Sequence, residues 1–144
     1  MRNIVTTTFV TLDGVMQSPG RSDEDRDEGF EYGGWIDPYG DKVTSEVMNG
    51  FMGLPFELLL GRRTYDIFAS YWPNTKAAPI IANKFNSTRK YVVSKHPARL
   101  SWHNSTLITG DVVMEIQKLK GMNDADLWVY GSGQNSSKRY SAMG

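Results

Sequence analysis

The apolar run Phe56-Glu57-Leu58-Leu59-Leu60 ends at Gly61-Arg62-Arg63-Thr64, and the hydrophobic pattern changes its period there. Up to Gly61 the pattern is a strand. Beyond it, Tyr65, Phe68, Ala69 and Trp72 recur at i, i+3, i+4 and i+7, one stripe of an α-helix. The unit reads as strand, tight turn, helix, with cationic side chains at the junction. Unpaired N–H groups at a helix start favour an anion, and a glycine lets a ligand approach the backbone. Equally, Arg62 and Arg63 could be solvated charges and Gly61 a simple turn.

The rest of the chain alternates in the same way. Residues 3–12, rich in Val, Thr, Ile and Phe, predict a strand running to the turn pair Asp13-Gly14, with Phe9 and Val10 buried on opposite faces near its end. Residues 17–32 predict a loop punctuated by Pro19, Gly20 and Gly29, with an acidic patch at Asp23-Glu24-Asp25-Arg26-Asp27-Glu28. A loop of that length in a small domain is a lid, a binding loop or disorder, and the charge run alone reads as a solvated face. Asp37 is expected to cap a helix with Pro38 in its first position and Val43, Val47, Met48, Phe51 and Met52 as its apolar stripe. Residues 79–85 predict a short helix, and Lys90-Tyr91-Val92-Val93-Ser94 and Ser105–Ile108 predict strands. Asp111 is expected to cap a helix with Val112, Val113, Ile116 and Leu119 inward, favoured at its end by Lys118 and Lys120 and stopped by Gly121. A last strand, Asp126–Tyr130, runs into Gly131-Ser132-Gly133.

Strands alternating with helices predict an α/β layer fold with a largely parallel sheet. Ligands of such sheets bind at the carboxyl ends of the strands. Gly61 to Thr64, Ser94-Lys95 and Gly131-Ser132-Gly133 all fall there.

Composition narrows the function. The chain has 144 residues, enough for one domain, and a formal net charge of zero, so no basic field draws it to nucleic acid or a membrane surface. It has no cysteine, which excludes disulfides, thiolate chemistry and cysteine-containing zinc sites. His96 and His103 have no carboxylate near them in sequence, so no metal site is expected. With neither a signal peptide nor a span of transmembrane length, a cytoplasmic protein is expected. Residues 135–144 are polar, with Tyr140 and Met143 as the sizeable apolar groups, and read as a tail outside the domain of residues 1–134.

Four segments, in this order and spacing, carry a resemblance: Thr8-Phe9-Val10-Thr11-Leu12-Asp13-Gly14, Leu59-Leu60-Gly61-Arg62-Arg63-Thr64-Tyr65, Tyr91-Val92-Val93-Ser94-Lys95, and Leu127-Trp128-Val129-Tyr130-Gly131-Ser132-Gly133. Together they resemble the dihydrofolate reductase-like superfamily, and within it the relatives of the reductase domain of riboflavin biosynthesis (RibD C-terminal-like). The resemblance implies a three-layer α/β/α fold and an NADPH-dependent reductase of a pterin-like or related small heterocycle.

It also implies that Gly61, Arg62, Arg63 and Thr64 lie along the cofactor phosphates, that Ser94 and Lys95 meet the adenosine end, and that Gly131, Ser132 and Gly133 wrap the pyrophosphate. Phe9, Gly14, Trp35 and Tyr65 are the substrate-side candidates. Asp13 is the proton-donor candidate, on the condition that burial raises its pKa; otherwise it is a turn former beside Gly14. Measured against the family pattern, the chain is expected to lack the last strands of the sheet. The resulting open edge predicts a homodimer, and the alternative function is a nucleotide-binding or structural relic without turnover.

Overall fold

The computed structural model describes residues 1–131. Its elements are β1 (Ile4–Thr7), a 3-10 turn (Asp27–Gly29), a second 3-10 turn (Asp37–Tyr39), α1 (Lys42–Met52), β2 (Phe56–Gly61), α2 (Arg62–Tyr71), α3 (Pro79–Ser87), β3 (Lys90–Val93), β4 (Ser105–Ile108), α4 (Val112–Gly121) and β5 (Asp126–Tyr130). The five strands form one sheet in the order β1-β5-β2-β3-β4, and every pairing is parallel. This is the α/β fold that the alternation predicts.

Two apolar clusters pack on opposite faces of the sheet and make three layers. On one face Phe56, Leu58, Leu60, Val92, Trp128 and Tyr130 meet Met52 of α1, Tyr65 of α2 and Phe85 of α3. On the other, Leu59, Tyr91, Leu127 and Val129 meet Ile116 and Leu119 of α4. Central strands covered on both faces need apolar side chains in both directions. β2 meets that demand, with Leu58, Leu59 and Leu60 all fully buried. Stacked rings reinforce the first face: Phe56 lies 4.6 Å from Trp128 and Phe68 lies 5.7 Å from Phe85, centroid to centroid.

Three expectations need correction. The first strand covers Ile4–Thr7 only, and Val10 is half exposed rather than buried. β1 pairs with β5 alone among the described strands, and the register ends at Thr7 opposite Tyr130, so no described strand pairs with residues 8–12. Second, Asp37 and Pro38 open a 3-10 turn, while α1 is capped by Asp41, whose carboxylate accepts from the Thr44 N–H at 2.7 Å. Third, the apolar stripes are only partly inward: Val43 and Val47 on α1 and Val113 on α4 are exposed. α4 does begin at its expected cap, Asp111, which accepts from the Met114 N–H.

Candidate functional site

β2 passes into α2 with no intervening loop. Gly61 is both the last residue of the strand and the helix N-cap, in extended backbone (φ −69°, ψ 154°). A helix start of this kind directs unpaired N–H groups toward the carboxyl edge of the sheet. β5 ends beside it. The Gly131 N–H donates to Thr7 O at 3.2 Å, closing the β1–β5 ladder, and the chain then turns at φ +66°. A Cβ on Gly131 would lie 3.5 Å from Thr64 Cγ2. The strand order therefore brings together the turn after β5 and the first turn of α2, which are far apart in sequence. Ser94 follows Val93, the register partner of Gly61, so it belongs to the same edge.

The side chains are less open than the sequence implies. Arg62 pairs with Asp66, Nε and Nη2 both reaching the carboxylate at 3.0 Å or less, while its Nη1 is buried without an acceptor. Arg63 is held by two carboxylates of the acidic loop, Asp25 and Asp27. The Arg63 guanidinium keeps the Asp27 carboxyl below the usual carboxylate range. Three carboxylates thus face two guanidinium groups at the start of α2. Ser94 is buried and its hydroxyl is engaged with His96, donating to His96 O at 2.9 Å. Lys95 is exposed. Ser132 and Gly133 lie outside the described residues.

The substrate-side candidates lie in different surroundings. Tyr65 is 1% exposed, and its hydroxyl accepts from the Trp102 N–H at 2.8 Å, so it is a residue of the core. Trp35 is half-buried and donates from Nε1 to Gln17 O at 2.9 Å, closing the acidic loop. Phe9 is half-buried. Asp13 and Gly14 form an exposed turn in which Gly14, at φ +91°, donates to Thr11 O and Asp13 accepts from the Thr11 hydroxyl. The burial on which a proton-donating role for Asp13 depends is absent.

Two features of the edge carry no signal in the sequence. One is the long-range pairing of Arg63 with the acidic loop. The other is Tyr130, 5% exposed, whose hydroxyl is buried without a hydrogen bond of acceptable geometry. Burial pushes its phenol up to about 12, against a smaller opposing pull from the Thr7 hydroxyl.

A separate cleft of about 480 Å³ is lined by Ala69, Pro73, Asn86, Ser101, Trp102 and His103. It has no lysine or arginine in its wall, and Asn86 is engaged at both ends, donating to Trp72 O and accepting from Trp102 Nε1. Among the described residues no cluster of His, Asp and Glu could hold a metal ion, and no helix is long and apolar enough to cross a membrane. No family model matches the chain, and no curated protein matches it.

Proposed function

We propose that this chain is a cytoplasmic NADPH-dependent reductase of a pterin-like or related small heterocycle, with the cofactor phosphates lying where the turn at Gly131 meets the start of α2. The approach of Gly131 to Thr64, near enough that a Cβ on the glycine would touch the threonine, carries the reading, because it sets a left-handed glycine turn beside a helix N-terminus on one sheet edge. The orphaned Nη1 of Arg62 supports it: a buried N–H without an acceptor is unfavourable, and a phosphate oxygen would satisfy it. Gly61, Arg62, Thr64 and Gly131 fit a nucleotide phosphate on these grounds, and Ser94 shares only their sheet edge. NADPH, when bound, supplies a hydride from its nicotinamide. The chain's own contribution is binding and orientation, and Asp13 is left as a turn residue.

A second reading, a nucleotide-binding or structural protein without turnover, is favoured by Arg63, whose guanidinium is already taken by Asp25 and Asp27. Under either reading β1 and β4, each paired on one side only among the described strands, favour self-association, and a homodimer is the expected species in sedimentation.

Titration of the purified chain with NADPH and NADH, read by nicotinamide fluorescence, tests the proposal. Tighter binding of NADPH, weakened in Arg62→Ala and followed by turnover with a panel of pterin and quinone acceptors, supports the reductase. Binding without turnover selects the second reading. Binding of neither nucleotide overturns both nucleotide readings.

A further inference from the structure

Residues 17–35 build a closed loop out of polar contacts of their own. Its base is shut by Gly34 N–H donating to Ser18 O at 2.8 Å, by Trp35 Nε1 donating to Gln17 O, and by Ile36 N–H donating to Pro19 O at 3.1 Å. Within it the Ser18 hydroxyl donates to Arg21 O and accepts from the Asp25 N–H, and the Glu24 carboxylate accepts from the N–H groups of Gly20 and Arg21. Ser18 is 3% exposed, and Gly33 is packed so closely that a Cβ there would lie 2.6 Å from Ser18 Oγ. Such a loop, with its ends together and its interior filled by its own side chains, is a compact Ω-type unit.

Its contacts with α2 are of another kind. Asp25 and Asp27 grip Arg63, and the Arg21 guanidinium lies 4.5 Å over the Tyr71 ring. Arg63 and Asp27 are both more than half exposed, so that pair is weak and screened by salt, whereas Asp25, 17% exposed, makes the firmer half of the grip. A loop closed on itself and tied to α2 through one exposed guanidinium and one ring is a unit whose cooperative opening that attachment controls.

We propose that residues 17–35 are a preassembled strap over α2 and that Arg63 is its latch, so that Asp25 and Asp27 compete with any anion arriving at the first turn of α2. The carboxylates stand in for that anion, and binding of one releases the other. The latch itself is independent of the nucleotide proposal; the identity of the anion as a phosphate group rests on it.

Hydrogen exchange resolved along the chain is the test. In Arg63→Gln, and in the double variant Asp25→Asn with Asp27→Asn, amides of residues 17–35 should exchange severalfold faster while β2 and β5 keep their protection. Inorganic phosphate should have the same local effect on the unaltered chain at constant ionic strength. The double variant keeps the cation and should bind phosphate or NADPH on the order of threefold more tightly, whereas Arg63→Gln should not. Unchanged exchange over residues 17–35 in both variants overturns the latch, and so does loss of protection throughout the sheet. Should Arg63→Gln not fold, a sodium chloride titration of the unaltered chain gives the same readout. A latch that opens in the variants without any response to phosphate or NADPH overturns the competition, and only that outcome also counts against the nucleotide reading.

Discussion

Lys90 carries its ammonium 4.4 Å from the centre of the Trp102 ring, with three carbonyl oxygens (Asn86, Thr88 and His103) around it at 2.7 to 3.2 Å. The side chain is fully buried at the start of β3 and ties the approaches to β3 and β4 together. Carbonyl dipoles and a ring face compensate part of the lost hydration, but no carboxylate does. Burial therefore pushes its pKa from 10.5 down to about 8.

A pH dependence follows. Below pH 8 the folded and unfolded chains both hold the proton, and the fold carries the full cost of burying the charge. Between 8 and 10.5 the unfolded chain still holds a proton that the folded chain has released, so this group makes unfolding harder as pH rises. Above 10.5 the gain is complete, at about 3 kcal/mol as an order of magnitude. The stability of the unaltered chain minus that of Lys90→Met, from denaturant titrations at pH 7 to 11, should climb across that window. A flat difference would refute the assignment.

Arg2 presents the opposite case, a buried cation with a carboxylate. Its side chain is fully buried, Nη2 meets Glu57 at 2.5 Å, and Nε donates to Ala125 O. Arg2→Ala leaves Glu57, 12% exposed, with Arg89 at 3.8 Å as its remaining ion partner among the described residues, and is expected to cost about 3 kcal/mol. Arg2→Met keeps the volume and should cost less than Arg2→Ala. Urea midpoints of the two variants decide it; equal losses would mean that the charge and its polar contacts, not the aliphatic stem, are the main contributor.

Tyr65→Phe removes the acceptor of the buried Trp102 N–H and nothing else of comparable size. A loss of about 1 to 3 kcal/mol in stability is expected, with nucleotide affinity unchanged. Weakened binding at constant stability would instead return Tyr65 to the ligand side.

Gly131 sits at φ +66°, where a side chain is strained, so Gly131→Ala should cost about 1 kcal/mol of stability. Gly131→Val adds a branched group toward Thr64 and should weaken NADPH beyond that cost. Equal affinity in the two variants would detach Gly131 from the nucleotide.

How much of this was legible varies by the range of the interaction. β2 and α2 were readable because a continuous apolar run and a 3.6-residue stripe are local patterns, and the core needs both. The start of α1 was misread because Asp37-Pro38 and Asp41 are both good caps a few residues apart; Gly40 breaks the first turn, and only the Thr44 hydrogen bond distinguishes them. Residues 8–12 have strand propensity but no partner strand among the described residues. The site was legible as positions on one edge and not as chemistry. The partners of Arg63 lie 36 and 38 residues away, and no local pattern announces which carboxylates will reach it. Lys90 and Arg2 are buried against the habit of their residue types, so burial of either could not be read from composition.

The position of β5 also sets an order of events. β1 pairs only with β5 among the described strands, and their ends meet through Asn3 and Asp126, 123 positions apart. β5 is made last of the five and enters between β1 and β2, not at the margin. On a chain emerging from the ribosome, β2, β3 and β4 can associate early, while Ile4 and Val5 wait for Leu127 and Trp128 to be synthesised. High separation of this kind slows folding and leaves strands open to foreign pairing meanwhile. Among the described strands the sheet is joined up by the one made last, and β1 has no partner until Trp128 and its neighbours are in place.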